Sequence, residues 1–392
     1  FVQLRLYGSG TFGTNTRIDH AFTVFLHTTI CVLIYLAFGS NQISFFAATL
    51  YACNPSNNQT SIWMNGRRYA INVILMLLIL WLGVWVAPLY FLMPIFQINA
   101  IFTPILLGWQ YALVIPAFFL LYNQHIIKWF KNRYMEIPQG ELRAYHPRRI
   151  IPIIKTYGFY FFKMLFPGTN LFFYPMLYFW GVSKEGNEEA YRLNWHFSRG
   201  MLALILTATA ILLLKDQYRI YAIMLFLSTF QWSNVLTATQ ITCDRYMSLP
   251  NVFMMFLVSY GLAEYAGPWG LPIIGLLIGY YLSNLFHVMG MYKDLDDFYD
   301  YNIFHNPKGI SAHTFKASAL LSATDHLAAW EIVRHGLHHN PKDFKMLYLA
   351  AVCCKHLREE KLSKEFIFRA EQNFYLGQED KLKKLIDKIK NN

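Results

Sequence analysis

Long apolar blocks, separated by short polar or basic stretches, run through residues 1–290. A helix needs roughly 20 apolar residues to cross a bilayer, and most of these blocks approach that length. The predicted spans are 20–39, 69–86, 88–108, 109–124, 195–214, 218–236, 249–266 and 269–290. Two further blocks, 43–53 and 151–180, contain or adjoin prolines, so each fits either a short span or a segment lying at the membrane surface. The pattern predicts an all-α, polytopic membrane bundle with about eight to ten spans.

Residues 291–392 follow a different pattern and are predicted to form a second domain. The tetrapeptide His305-Asn306-Pro307-Lys308 recurs as His339-Asn340-Pro341-Lys342, which is an offset of 34 residues. That offset is the period of a tetratricopeptide helix pair. Small and apolar residues follow the same period, as a close contact between paired helices requires. They are Ala317, Leu320, Ala329, Val333 and Gly336, and then Ala351, Ser363, Ile367 and Ala370. An amphipathic capping helix is expected at Leu382, Leu385, Ile386 and Ile389.

Composition and charge support the membrane assignment. The chain is 55% hydrophobic and only 15% charged, against about 25% charged residues in an average soluble domain. Residues 1–290 carry 18 basic against 9 acidic residues, and the densest basic stretch, 126–150, lies between two apolar blocks. The positive-inside rule places such a loop in the cytoplasm, so the positive net charge predicts no nucleic-acid partner.

The side of the tail depends on the segment 151–180. If this segment crosses the membrane once, the tail lies outside the cytoplasm. If the segment stays at the surface, the tail is cytoplasmic. We expect the extracytoplasmic placement, periplasmic or lumenal.

Metal sites are not expected from this sequence. The five cysteines are odd in number and form no Cys-x-x-Cys pair, which argues against a zinc site or a disulfide framework. His335, His338 and His339 share one helical face, which could hold a divalent metal. They also fall at a helix end, where polar or cationic groups suit the helix dipole, and we favour that interpretation.

Two motifs in the membrane part resemble a known family. Asn54-Pro55 is followed by Gln59, Trp63, Gly66 and Arg67, and Asp244-Arg245-Tyr246 is followed by Pro250. The first set is similar to the His-Pro-x-x-x-Glu…Trp-x-x-Gly-Arg segment, and the second to the Glu-Arg-Tyr-x-x-x-Pro segment, of the transmembrane-and-tetratricopeptide O-mannosyltransferases of the GT-C superfamily. His27, Pro116 and the turn at 163–167 fall in the order that this family shows. The resemblance begins at about residue 17 and covers nearly all of the chain from there on.

The resemblance implies a GT-C membrane fold, a polyprenyl-phosphate-linked sugar as the donor and a repeat domain on the extracytoplasmic side.

The departures from the family weigh against catalysis. The family's His and Glu are replaced by Asn54 and Gln59, and a carboxamide cannot exchange a proton near neutral pH. The family's catalytic acid lies in a loop before the segment that corresponds to 17–39, and Asp19 is the nearest acid here. We therefore expect either a degenerate relative or an enzyme whose catalytic loop precedes Phe1.

Arg245 and Arg67 are the candidate ligands of a lipid phosphate, because each lies just before an apolar span, at headgroup depth. The alternatives are an interfacial anchor paired with Asp244 and a simple flanking charge. His27, inside the first span, either hydrogen-bonds a neighbouring helix or lines a cavity.

Three function classes follow from these observations. The first is an integral membrane glycosyltransferase, impaired as the sequence stands. The second is a non-enzymatic scaffold or assembly subunit that meets membrane lipid through its spans and a protein partner through its repeats. The third, a transporter or channel, is weaker, because no pair of interrupted spans occupies matching places in two halves.

Overall fold

The computed structural model describes residues 16–57, 60, 66–92, 102–108, 111, 113–116, 120, 150–168, 192–231, 233, 244–291 and 294–373. Every regular element in these segments is helical. The chain forms two compact units, a membrane unit that ends at Val288 and a repeat unit that continues from Met289. The predicted boundary lies two residues later. Several predicted features lie outside the described residues. They are the basic loop 126–149, the first two residues, 109–110, of the predicted span 109–124, and the capping helix at 382–389.

The membrane unit contains eight of the described α-helices. They are α1 Thr16–Ala37, α2 Gln42–Cys53, α3 Arg67–Leu82, α4 Ile150–Leu165, α5 Trp195–Leu213, α6 Asp216–Phe230, α7 Ser248–Tyr265 and α8 Gly270–Met291. Five described segments are long and apolar enough to cross a membrane, namely His20–Ala37, Arg67–Leu92, Trp195–Leu213, Asp244–Tyr265 and Gly267–Gly290. The prediction of a polytopic membrane protein is confirmed at this level, and the higher number of spans stays a prediction.

Two of the predicted spans differ in the structure. The predicted break between 69–86 and 88–108 is absent, because α3 continues directly into the 3-10 helix Gly83–Leu92. Gly83 has a φ of 67°, a left-handed conformation that glycine adopts easily, and it lets the helix change type without ending the segment. In the predicted span 218–236, α6 ends at Phe230, Gln231 and Ser233 are π-helical, and residues 232 and 234–236 lie outside the described residues.

The two ambiguous blocks each form a short helix. Block 43–53 is α2, whose start is fixed by a capping box in which Asn41 and Ser44 exchange hydrogen bonds. Block 151–180 begins with α4, which ends at Leu165, two residues before Pro167. Proline cannot continue a helix and restricts the residue before it, so the helix stops here. Residues 169–180 lie outside the described segments.

The helix α7 forms the centre of the membrane unit. Leu249, Val252, Phe253 and Met255 are fully buried, although α7 is apolar enough to face lipid. At its middle the ring of Phe256 stacks on Phe38, with 4.2 Å between ring centroids. A helix that is apolar and buried along most of its length belongs inside a bundle, and here α2, α3 and α6 pack against α7.

The repeat unit contains α9 Leu295–His305, α10 Ile310–Ser322, α11 His326–His339, α12 Phe344–His356 and α13 Glu360–Asn373. The bounds of α10 and α11 recur 34 residues later as those of α12 and α13. Both Asn306 and Asn340 end a helix with nearly the same backbone angles, φ near −140° and ψ near 70°. Asparagine and the following proline stop each helix at the same place in the period.

Aspartates set the starts of three of these helices. Asp294, Asp325 and Asp343 each accept a hydrogen bond from a backbone N–H in the first turn. Such a cap satisfies an N–H group that has no partner within the helix. The acidic stretch 294–300 therefore includes a helix start and the exposed first turns of α9.

Most of the residues predicted to bring the repeat helices together are buried, whereas Leu320 and Ile367 are half-buried. Ala317, Ala329, Val333, Ala351 and Ala370 are all at most 1% exposed. A Cβ atom at Gly336 would lie 2.5 Å from Cε of Met346, so the backbone of α11 closely approaches α12. The paired arrangement and its period are thus present, and the tetratricopeptide identification stays a prediction.

Candidate functional site

The loop after α2 is held in place by the side chain of Asn54. Its Nδ2 donates to the carbonyl of Met164 at 2.8 Å, and its Oδ1 accepts the backbone N–H of Ser56 at 2.9 Å. The side chain is 1% exposed. Pro55 follows as the first residue of the buried 3-10 turn Pro55–Asn57. Asn54 therefore ties this turn to the end of α4.

The next residues of the turn extend the same contacts. The hydroxyl of Ser56 donates to the carbonyl of Lys163 at 3.2 Å. Asn57 donates to the carbonyl of Tyr51 at 2.8 Å and accepts at Oδ1 from Nδ2 of Asn251 at 3.2 Å. Through these bonds the turn is anchored to α2, α4 and α7 together.

The start of α3 brings a cation to the same end of the unit. Gly66 is the N-cap, and no side chain caps this helix end. Arg67 is 2% exposed, donates from Nε to the hydroxyl of Thr23 at 3.1 Å, and holds its guanidinium 5.4 Å from the ring centre of Phe22. The uncapped N–H groups and the positive helix end favour an anion in this region.

The turn before α7 supplies a second arginine. Arg245 lies in the buried 3-10 turn Asp244–Met247 and donates from Nε to the hydroxyl of Tyr69 at 3.4 Å. Its guanidinium carbon lies 5.3 Å from the ring centre of Tyr246 and 5.9 Å from that of Tyr69. Tyr69 is the third residue of α3, so the starts of α3 and α7 adjoin.

Lys163 and Asp244 form a buried ion pair between α4 and this turn. The Nζ and Oδ1 atoms are 3.7 Å apart, and both side chains are nearly inaccessible to solvent. The tyrosine hydroxyl of Tyr281 on α8 donates to the carbonyls of Met164 and Leu165 beside it. We call Asn54, Asn57, Arg67, Lys163, Asp244 and Arg245 the polar cluster.

The structure thus joins motifs that are far apart in the sequence. Asn54 and Pro55, Gly66 and Arg67, and Asp244 with Arg245 and Tyr246 all contribute to one end of the membrane unit. Pro250 lies buried in the first turn of α7, next to the cluster. Gln59 and Trp63 lie outside the described residues, as does the side chain of Asp19.

His27 contacts the end of α2. Its Nε2 lies 3.4 Å from the carbonyl oxygen of Ala52, and its ring stacks on Tyr51 with 5.7 Å between centroids. This geometry links α1 to the end of α2, as expected for the interpretation in which the histidine hydrogen-bonds a neighbouring helix.

The sequence motifs do not identify Lys163 of the cluster as a site residue, nor Tyr69 and Asn251, which hydrogen-bond members of the cluster. The available signal for Lys163 is that α4 is largely apolar yet contains two lysines, Lys155 and Lys163, because a buried cation in a membrane segment needs a partner. For Tyr69 and Asn251 the sequence gave no local signal.

The polar cluster can bind an anion but offers little acid–base chemistry. Among its described members, Arg67, Lys163 and Arg245 are cations and Asp244 is an acid that faces Lys163. Arginine keeps its proton at physiological pH, and a carboxamide neither gives nor takes one. The cationic side chains of the cluster are held in fixed positions near the start of two candidate spans, Arg67–Leu92 and Asp244–Tyr265.

The histidines of α11 have other partners than a metal. Nδ1 of His335 lies 2.8 Å from Nε2 of His313, and the rings of His335, His338 and His339 contact one another edge to face. Within the described part of the chain, no three His, Cys, Asp or Glu side chains are arranged to hold a metal ion.

Comparison with known proteins identifies no relative. No protein-family model, curated protein or solved structure matches the chain. The resemblance to O-mannosyltransferases therefore depends on the motifs themselves, and the functional argument depends on the geometry of the polar cluster.

Proposed function

We propose that the membrane unit binds the phosphate of a polyprenyl-linked lipid at the polar cluster and does not itself transfer the sugar. The observation that carries this proposal is the convergence of Arg67, Lys163 and Arg245, which come from three distant parts of the sequence and are all buried at one end of the unit. The resemblance to polyprenyl-phosphate-dependent glycosyltransferases supports the same ligand class.

The physical argument begins with the free energy of burying charge. A buried cation in a membrane protein is expensive, so it usually marks a ligand site or an ion pathway. A guanidinium presents several N–H donors in a plane and can bind two phosphate oxygens at once. Arg245 is the second residue of the span Asp244–Tyr265, and Arg67 is the first residue of Arg67–Leu92. The start of a span is where a lipid phosphate is expected, and this position supports the proposed role of both arginines.

The absence of transfer is proposed from the chemistry of residues 54 and 59. A positioned general base contributes about 10²–10⁴-fold to a rate. Asn54 is a carboxamide whose amide and carbonyl groups both hold the loop in place. Gln59 is likewise a carboxamide. Neither can take the proton of an acceptor hydroxyl.

Lipid binding can be tested on the purified chain in nanodiscs, with a polyprenyl phosphate and the matching uncharged polyprenol as probes. We expect the phosphate to bind and the alcohol to bind at least about tenfold more weakly, because only the phosphate engages charged donors. Arg245→Ala should remove this preference. Arg219→Ala is the matched control, since Arg219 pairs with Asp216 on the exposed surface of α6. Equal binding of both lipids would overturn the proposal.

Sugar transfer is tested separately with a labelled polyprenyl-phosphate sugar and candidate acceptors. We expect no product above background from the chain or from Arg245→Ala. Transfer that depends on Arg245 would contradict this part of the proposal and would make Asp244 and Asp19 the first residues to replace.

A non-catalytic scaffold is the second candidate function. It is favoured by the commitment of Asn54 and Asn57 to bonds that hold α2, α4 and α7 together. In this alternative the cationic residues stabilise the fold, and the repeat unit binds a protein partner. Retention of the fold without any preference for the lipid phosphate would favour the scaffold.

A further inference from the structure

Histidine pairs connect α11 to both of its neighbouring helices. Near the C-terminal end of α11, His335 meets His313 of α10. Near its N-terminal end, His326 stacks on His356 of α12, with 4.2 Å between ring centroids and 7° between ring planes. The central helix of the described repeat unit is therefore held on two sides by rings that can each acquire a positive charge.

The hydrogen bonds limit the number of protons that the first pair can carry. Nδ1 of His313 lies 2.7 Å from the carbonyl oxygen of Gly309, so this nitrogen carries the hydrogen. Nε2 of a neutral His313 is then an acceptor, and it receives the Nδ1–H of His335 at 2.8 Å. If His313 is charged, a neutral His335 can accept at Nδ1 instead, but protonation of both rings would place two N–H donors against each other. The observed contact is therefore lost when both rings are charged.

The surroundings of this pair oppose added positive charge. Burial lowers the pKa of His313, the neighbouring His335 and His339 lower it further, and the bond to Gly309 acts in the opposite direction. Burial also lowers the pKa of His339, followed by the effects of His335, His338 and Lys308.

Among the described residues, two carboxylates near α10 have other partners. From α9, Asp300 approaches α10 but is paired with Lys316, one turn beyond His313. From α12, apolar Met346 packs beside Gly336 and His313. Asp343, at the start of α12, accepts the backbone N–H of Met346.

The second pair is less buried than His313, because His356 is exposed and His326 is half-buried. Burial lowers the pKa of His356, and His326 and Lys355 lower it further. Asp325, beside His326, accepts the backbone N–H of Ala328 as the helix cap. Protonation of both stacked rings would place two like charges face to face.

We propose that the repeat unit is an acid-sensitive device in which protonation of His313 and its partners loosens α11 from α10 and α12. The direction follows from linkage between proton binding and packing. An unpacked histidine takes up its proton at about pH 6.5, whereas burial lowers the pKa of His313, His339 and His356, so these three take up a proton only at lower pH. The opened form therefore binds more protons as pH falls below this value, and the packed form loses stability. Packing is fully stable above this range.

The test is hydrogen–deuterium exchange of the full chain in nanodiscs at pH 7.5 and pH 5.5, with rates corrected for the intrinsic effect of pH. We expect protection of α10 and α11 to fall by about tenfold or more at the lower pH, because one extra proton in the opened form shifts the opening equilibrium up to tenfold per pH unit. Protection of α7 should not change. Equal protection of α10 and α11 at both pH values would overturn the proposal.

Two variants separate the histidine contact from general acid instability. In His335→Gln the amide can donate to a neutral His313 or turn its oxygen to accept from a charged one, so the acid effect on α10 should shrink to less than about threefold. His305→Gln is the matched control, since His305 is exposed on α9 and contacts Tyr301 instead. It should keep the full effect. His339→Gln, which removes a second neighbouring charge, should give a reduced effect. An undiminished acid effect in His335→Gln, or its loss in His305→Gln, would contradict the mechanism.

Discussion

Asn54 has the contacts of a structural residue. Its carboxamide donates to Met164 and accepts from Ser56, so both of its polar groups are used inside the fold. A histidine or an acid at this place would have a titratable atom in the middle of the polar cluster. Asn54 instead provides a fixed connection between the loop and α4 and cannot exchange a proton.

Asn54→Leu is expected to lower the free energy of unfolding by about 1–3 kcal/mol, because it leaves the N–H of Ser56 without its partner and removes one of the two donors to the carbonyl of Met164. Thermal unfolding of the full chain in detergent measures this. Thr49→Val is the control, since the Thr49 hydroxyl bonds only a carbonyl of its own helix at an exposed position. A loss of stability in the control as large as in Asn54→Leu would show that the assay does not report the loop.

At the scale of elements, α4 and α5 make an unusually close contact. A Cβ atom at Gly200 would lie 2.2 Å from the carbonyl oxygen of Ile154, and one at Gly158 would lie 2.5 Å from Cα of Gly200. Small residues let membrane helices approach until their backbones touch. This contact fixes the position of α4, whose end carries Lys163 into the polar cluster.

Gly200→Ala is expected to separate α4 from α5 and destabilise the membrane unit by about 1–3 kcal/mol, as overpacking does elsewhere. Gly279→Ala on α8 is the matched control, because a Cβ atom there meets nothing within 4 Å in the described structure. It should leave the unfolding temperature unchanged or slightly raised. Equal effects of the two alanines would contradict the close contact.

The repeat helices depend on a similar restriction on size. Ala329 of α11 is fully buried, whereas Ala319 of α10 is exposed. Ala329→Leu should therefore overpack the repeat core and cost about 1–3 kcal/mol, and Ala319→Leu should have little effect. Hydrogen exchange of α10 to α13 in the full chain distinguishes the two. Unchanged protection in Ala329→Leu would mean that this position tolerates a larger side chain than its burial suggests.

At the scale of the whole molecule, the chain combines a membrane unit with a helical repeat unit. Our two proposals assign a different function to each unit. The cationic cluster that would hold a lipid phosphate belongs to the membrane unit, and the acid-sensitive histidines belong to the repeat unit. A lipid-binding defect and an altered acid response should therefore arise from different variants.

The predicted topology places the basic loop 126–150 in the cytoplasm and the repeat unit on the other side. Protease added to intact cells or spheroplasts should then remove the repeat unit and spare the loop, because only extracytoplasmic segments are accessible. Antibodies against the two segments would report the products. Cleavage of the loop with protection of the repeat unit would reverse the assignment. Disruption of the cells before protease treatment is the control that should expose both.

The sequence by itself determined the membrane class and the period of the repeat unit. Both are local properties: a span needs a run of apolar residues, and Asn306-Pro307 and Asn340-Pro341 stop their helices wherever they occur. The sequence also located most residues of the candidate site, through motifs that are short and continuous. Its error between the predicted spans 69–86 and 88–108 is local too, because residues 83–92, with Pro88 among them, form a continuing 3-10 helix.

Only the tertiary structure decided which helix ends meet. Asn54 reaches Met164 across 110 residues of sequence, and Arg245 reaches Tyr69 across 176. The hydrophobic pattern shows which residues are removed from water. Because all apolar helices share this pattern, it does not show which helices pack against each other. The ion pair of Lys163 with Asp244 and the contact of His313 with His335 arise from the packing of particular helices, whose side chains fit in one arrangement.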